Sequence, residues 1–261
     1  MTKSLVRESM TPSVASVDVD ASLDEVLKTL GQNNVSCVLV TSGSHPEGVI
    51  SMTDLVRVSK HHADAHGKRP FKLMPPALKA RDVMKKDLIT IAPDATISDA
   101  AKLLLQHKIH RVFVKENGKV VGVFSTKDAM RVVLALKIET PLKDVMTSPV
   151  ETVGIGETID AALAKLEESN VRGLAVIDVK VPVGLFTQLE AIKARALPPP
   201  LRLRPVEELM SYETAFLDVS TPLYRAAGHS IGTELRRILV TQDRALVGIV
   251  TGYDVAQALI E

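Results

Sequence analysis

The 261-residue chain predicts a mixed α/β (α+β) fold in which one small unit is used four times. Three observations predict it. A motif of Gly, two apolar residues, Ser or Thr, two variable residues and an acid recurs as Gly48–Asp54 (GVISMTD), Gly122–Asp128 (GVFSTKD), Gly184–Glu190 (GLFTQLE) and Gly248–Asp254 (GIVTGYD). A methionine (Met10, Met84, Met146 or Met210) stands 44 residues ahead of each acid, so the unit keeps its length and all variation falls between copies. Between these marks the apolar pattern changes from helical to strand-like in the same way each time.

After the methionine comes a short extended stretch, VASVDV in the first copy and LITIAP in the second. A helix follows, with apolar residues at Leu23, Val26, Leu27 and Leu30, and again at Ile97, Ala100, Ala101 and Leu104. Ser22, Thr96 and Thr158 suit its N-cap, and Thr221 before Pro222 starts the fourth copy one residue earlier. The runs VSCVLV, IHRVFV, VRGLAV and LRRILV read as buried strands. A Gly-containing turn leads to a second strand, which runs into a final helix. The unit is β-α-β-β-α, with repeats at about 4–60, 80–137, 139–196 and 204–261. Lys60–Ala80 and Lys193–Pro205 read as linkers, the second a semi-rigid proline run. The helix holding Asp128 runs on through AMRVVLALKIE, and the repeats divide into two pairs, 1–138 and 139–261.

Composition bounds the function. With 46% hydrophobic but only 3% aromatic residues and no Trp, the core is aliphatic. A formal charge of +1 argues against a general polyanion binder, and the basic stretches GKRPFK and RLRP are too short for nucleic-acid binding. The single Cys37, in an apolar run, reads as a core residue of a cytoplasmic protein, and no apolar segment is long enough to span a membrane. His61, His62 and His66 form a cluster better read as a solvated linker than as a metal site. No nucleophile triad, CxxC or Walker motif supports catalysis, so no catalytic or metal residue is assigned.

The motif has two readings. Ser or Thr at a helix start with an acid three residues on is a capping box, and Glu190 serves there as well as Asp. The same helix N-terminus also suits a phosphate, and a short carboxylate can hold a ribose diol. Basic residues at one register weigh toward the second reading. At 26 and 27 residues past the methionine stand His110-Arg111, Arg172-Gly173 and Arg236-Arg237, against Ser36-Cys37 in the first copy. Arginine suits bidentate phosphate contact.

Four such units resemble CBS domains, named for cystathionine β-synthase, in a layout similar to the gamma subunit of AMP-activated protein kinase. The resemblance covers nearly the whole chain. It implies repeats paired by pseudo-twofold axes into two Bateman modules, with clefts that bind adenosine nucleotides. It assigns ribose contact to Asp54, Asp128 and Asp254, and places their companions Ser51 and Thr53, Ser125 and Thr251 near phosphate. It assigns phosphate contact to His110, Arg111 and Lys127, and by register to Arg172, Arg236 and Arg237. In the family the ribose acid and the phosphate base come from opposite members of a pair. That ranks Asp54 with His110, Arg111 and Lys127 first and Asp254 with Arg172 second. Asp128 faces the uncharged Ser36-Cys37, and Glu190 faces Arg236-Arg237. The implied function is a non-catalytic regulatory module that senses AMP, ADP or ATP and signals to a protein target by conformational change. A ligand-free interaction scaffold and an S-adenosylmethionine sensor are the alternatives, and a homodimer is left open.

Overall fold

Each copy folds as β-α-β-β-α, and each begins with a helical turn that the apolar pattern does not announce. The computed structural model describes residues 4–12, 14–66, 74–169 and 171–260, and of residues 62–66 the backbone only. In the first repeat the turn α1 (Val6–Ser9) ends at Met10, and β1 (Ser16–Asp18), α2 (Leu23–Gln32), β2 (Cys37–Ser42), β3 (His45–Ser51) and α3 (Met52–His66) follow. The second has α4 (Ala80–Val83), β4 (Thr90–Ile91), α5 (Ile97–Gln106), β5 (Arg111–Glu116), β6 (Lys119–Ser125) and α6 (Thr126–Leu136). The third has a 3₁₀ turn at Leu142–Asp144, then β7 (Thr152–Gly154), α7 (Ile159–Glu168), β8 (Gly173–Asp178), β9 (Val181–Thr187) and α8 (Gln188–Ala196). After the short helix α9 (Pro199–Arg202) the fourth has a 3₁₀ turn at Val206–Glu208, β10 (Ala215–Asp218), α10 (Leu223–Thr233), β11 (Arg237–Gln242), β12 (Ala245–Thr251) and α11 (Gly252–Gln257).

The four sheets share one plan: the first strand pairs parallel with the second, and the second antiparallel with the third. Each hairpin carries a bulge at the same place, after Val40, Val114, Val176 or Val240, the residue paired with the motif glycine. Such a bulge re-aims the strand just before it enters the helix.

The structure corrects five local expectations. The long strands begin two residues later than the apolar runs, so Ser36, His110, Arg172 and Arg236 precede the strand rather than lie in it. Helix α3 continues to His66 through residues read as linker, because no breaker occurs before Gly67. Pro199 opens the first turn of α9, a place proline favours, instead of extending the connector. Helix α6 stops at Leu136, where Lys137 turns left-handed (φ 50°, ψ 51°). Also, Pro222 is the N-cap of α10, so the fourth helix starts in register with Ser22, Thr96 and Thr158.

The leading segment of each repeat is seated on its partner repeat. Leu5 bridges to Thr96 and Thr11 to Val123, placing the start of repeat 1 on repeat 2. Lys79 bridges to Ser22 and Lys85 to Val49, which returns the exchange. Repeats 3 and 4 do the same through Pro141–Pro222, Thr147–Ile249, Pro205–Thr158 and Ser211–Leu185. The four methionines and the four motif glycines meet here. A Cβ on Gly48 would stand 2.6 Å from the Lys85 carbonyl oxygen, one on Gly122 2.9 Å from that of Thr11, and one on Gly184 2.7 Å from that of Ser211. The methionine sulfur lies over the same spot, 3.0 Å away for Met84 and 2.9 Å for Met10 and Met210. These glycines are therefore required by space for the passing segment.

The chain packs as two units. One comprises Met1–Val14, Asp87–Pro149 and Ala215–Glu261, so it holds the sheets of repeats 2 and 4. Its core is a single apolar cluster that includes Leu104, Phe124, Val133, Leu223 and Val240. The other comprises Ala15–Lys86 and Val150–Thr214, and so holds repeats 1 and 3. It has two clusters, around Leu30, Ile50 and Leu55 and around Leu163, Leu174 and Phe186. A polar tie joins them. Arg195, 5% exposed, pairs with Glu167 at 2.5 Å and donates to the Val56 carbonyl and the Ser59 hydroxyl, both at 3.4 Å. Lys60 holds the other oxygen of Glu167 at 2.5 Å.

Two outcomes follow from this packing. Gly48→Ala should lower stability by about 1–3 kcal/mol, because a backbone carbonyl must move. Gly248→Ala should cost less, because the three atoms nearest the added methyl belong to the Met146 side chain and not to backbone. Urea unfolding of both variants checks the order, and equal losses would refute it. Burial opposes ionisation of Glu167, but hydrogen bonds from Lys60 and Arg195 outweigh it and hold its pKa below the ordinary value. Its contribution is therefore complete above the unfolded-state pKa, about 4.3, and is lost as pH falls through the lower folded value. Glu167→Gln should be less stable at neutral pH yet lose less stability on acidification, as melting curves from pH 7 to 3 will show.

Candidate functional site

At each motif a strand ends on the hydroxyl residue and a helix starts on the next. The resulting capping boxes share one form. Ser51 donates its backbone N–H to Asp54 Oδ2 at 2.9 Å, Ser125 to Asp128 Oδ2 at 2.7 Å and Thr251 to Asp254 Oδ2 at 2.7 Å. Thr187 donates likewise to Glu190 Oε2 at 3.1 Å. Each hydroxyl also donates to that oxygen, and Ser51 Oγ and Ser125 Oγ accept the amides of Asp54 and Asp128 at 3.3 and 3.4 Å. The capping reading is thus met in all four copies, and Glu190 performs it as the aspartates do.

Capping uses one carboxylate oxygen; the other points elsewhere. Asp54 Oδ1 takes Lys85 Nζ at 3.0 Å, with Arg57 at 3.7 Å. Asp128 Oδ1 accepts the Thr11 hydroxyl at 2.8 Å and pairs with Arg131 at 2.5 Å. Asp254 Oδ1 accepts the Thr147 hydroxyl at 2.7 Å, and Glu190 Oε1 has Lys193 at 3.6 Å. Lys85, Thr11 and Thr147 each follow one of the methionines, so the seated segment delivers them to the partner repeat's acid. The acids are deeply set: Asp54 is 2% exposed, Asp128 0% and Glu190 4%, whereas Asp254 is half-buried. Ordinary helix caps in this chain, such as Glu25 on Ser22, are exposed.

The basic residues gather at the same helix starts. Arg111 lies directly across the ladder from Ser125, and Arg237 across from Thr251. Directly paired residues share a sheet face. In repeat 3 the equivalent position is Gly173, opposite Thr187, and Arg172 precedes it. The His110 carbonyl accepts the Thr126 amide at 3.0 Å, and Ser36 does the same for Met52 at 2.9 Å. Two of the first three amides of α3 and of α6 are therefore already satisfied, and a bound anion there would depend on side chains and the helix dipole more than on free amides.

Neighbours that sequence reasoning missed complete the picture. The His110 ring stacks on Tyr253, with centroids 4.6 Å apart and planes 27° from parallel. Lys127 pairs with Glu234 at 3.6 Å, and Thr53 accepts from Gln188 at 3.1 Å. Arg236 is exposed and Arg172 half-buried. The place of Lys85, Thr11 and Thr147 one past the methionine was the available signal, but contact with a different repeat's acid is invisible in a pattern that counts within one repeat. His61 lies exposed on α3, while the side chains of His62 and His66 lie outside the described residues. Among the described residues no group of three His, Cys, Asp or Glu is arranged for a metal, and no helix is long and apolar enough to cross a membrane.

The model of the CBS domain matches residues 6–61, 80–135, 142–197 and 206–261. The chain belongs to the CBS domain family. Paired domains of this regulatory family typically bind adenosine ligands. An uncharacterized Methanocaldococcus jannaschii protein, MJ1404, is 24% identical over 98% of this chain and 62% of its own length. A second, MJ0450, is 30% identical over 50% of this chain and 66% of its own. The match to the L-aspartate semialdehyde sulfurtransferase of the same organism spans 43% of this chain and 22% of that enzyme, so the chain spans under two thirds of the length of these curated relatives. Among solved structures, the M. jannaschii protein MJ1225, proposed as an archaeal homologue of g-AMPK, superposes with a TM-score of 0.82 at 18% identity, over 98% of this chain and 99% of that one. A conserved Pyrococcus horikoshii protein gives 0.68 at 20% identity, over 98% and 100%. These likenesses establish the four-repeat fold.

Ser125→Ala removes an N-cap and a donor to the fully buried Asp128, so it should cost more than the roughly 1 kcal/mol of an ordinary cap. Ser22→Ala, whose partner Glu25 is exposed, should cost only that ordinary amount. Thermal melts of the two variants compare them, and equal losses would mean that burial of Asp128 adds nothing.

Proposed function

We propose that this chain is a non-catalytic regulatory module of the cytoplasm that senses adenosine nucleotides, AMP, ADP or ATP, in clefts between paired repeats. Binding shifts the balance of conformations and so alters contact with a protein target. The pairing is 1 with 2 and 3 with 4, in modules 1–138 and 139–261, and the exchange of leading segments supports it. The observation that carries the reading is the second oxygen of the motif acids. A cap needs one oxygen and no burial. Here a second oxygen faces hydrogen-bond donors, at helix starts that also carry Arg111 and Arg237. Ribose hydroxyls are donors of that kind, and the basic side chains with the helix dipole suit the phosphate.

In this reading Ser51, Ser125 and Thr251 hold the acids in place, and Asp54, Asp128 and Asp254 take the ribose through Oδ1. His110, Arg111, Lys127, Arg172, Arg236 and Arg237 take the phosphates, with Thr53 at the rim. The stack of His110 on Tyr253 would have to tolerate or yield to a phosphate. Calorimetric titration tests the assignment. AMP should bind at least tenfold more tightly than adenosine, since each charge-assisted hydrogen bond to phosphate contributes about 1.5–3 kcal/mol. Equal affinities would mean that the basic residues do not hold phosphate, and absence of binding by any adenosine nucleotide would favour an interaction scaffold.

A further inference from the structure

The four motif acids are alike in the capping oxygen and unlike in the other. Lys85 places a cation on Asp54 Oδ1, and Arg57 adds a second at longer range. Arg131 places one on Asp128 and Lys193 one near Glu190. Asp254 meets only the neutral Thr147 hydroxyl, and among the described residues no cation lies within 4.0 Å of it. It is also the acid least withdrawn from solvent.

We infer that the chain's own cations grade the four acids as ligand acceptors: Lys85 masks Asp54, and Asp254 belongs to the tightest site. This rests on the nucleotide reading above. A ribose hydroxyl reaching Asp54 must displace an ammonium from Oδ1, while at Asp254 it exchanges one neutral hydroxyl donor for another. The bond it then makes is charge-assisted, to a carboxylate whose charge no side chain has neutralised. The order differs from the one that phosphate anchors alone imply, which puts Asp54 first. The mask is modest, because the Lys85 side chain is 59% exposed and the pair is screened by water. It is also local to the segment that repeat 2 lends to repeat 1, so one substitution removes it without touching the cap.

The test is calorimetric titration of the full chain with adenosine and with AMP, on wild type, Asp254→Asn, and Asp254→Asn with Lys85→Met. Asp254→Asn should abolish the tightest class, leaving binding weaker by about tenfold or more. Adding Lys85→Met should then tighten the residual binding of adenosine and AMP alike, by up to about fivefold. Asp254→Glu, which keeps the capping geometry seen at Glu190, replaces Asp254→Asn if the latter fails to fold. An intact tight class after either change at Asp254 overturns the inference, as does a Lys85→Met change without effect. Weaker AMP but unchanged adenosine binding would make Lys85 a phosphate contact and also overturn it. In each of these cases AMP still binds and the nucleotide reading stands. Wild-type protein that binds neither ligand would instead remove that reading and this one together.

Discussion

The contact on which the rest depends is the passage of each leading segment over its partner's glycine. It closes the free edge of the third strand with a pair of backbone hydrogen bonds, such as Thr11 to Val123 at 2.8 and 2.9 Å. Only a residue without a Cβ lets the backbones approach this closely. Once seated, the segment carries the residue after its methionine onto Asp54, Asp128 or Asp254, while Glu190 has Lys193 of its own helix instead. Strand edge, glycine and methionine thus form one arrangement used four times, joined to the motif acid in three of them, and each part constrains the others. The acid can be buried because its capping donors and its second partner arrive with the same packing.

The four β-α-β-β-α units were legible because local physics dictates them. Helical apolar spacing, N-cap residues and glycine turns all act within a few residues. The motif acids and their hydroxyl partners were legible for the same reason, since a capping box spans three residues. What escaped the sequence acts at longer range. The methionine and the acid 44 residues later mark the length of one repeat, but Met84 touches Gly48 and Met10 touches Gly122, in the other repeat of the pair. The Lys85–Asp54 contact and the stack of His110 on Tyr253 share that origin. The ends of apolar runs misled as well: Val35 and Ile109 pack on the core from the turn before the strand, so hydrophobicity began two residues ahead of the ladder.

The two packing units solve one problem differently. Repeats 2 and 4 share one apolar core, and outside it the exposed Leu134 comes close to Gly228. Repeats 1 and 3 have two clusters, joined by Ile192 of repeat 3, which packs in the cluster of repeat 1, and by a buried arginine with its glutamate. Apolar contact has no charge to screen or titrate, whereas the Arg195–Glu167–Lys60 group is weakened by both salt and acid. The near-identical units therefore need not respond alike to solution conditions, even though their sheets have the same order and the same bulge.

The exchange of leading segments also sets an order in time. Thr11 and the acid it touches are 117 residues apart, and Thr147 and Asp254 are 107 apart. During synthesis the first segment leaves the ribosome long before the strand that will receive it exists, and waits while all of repeat 1 and most of repeat 2 are made. Lys85, by contrast, finds Val49 and Asp54 already made. Repeat 1 thus has a finished edge while the segment that carries Val6 and Thr11 is still unseated. Contacts of such separation close slowly, and until they close the apolar face of Val6 and Met10 stays open to other chains.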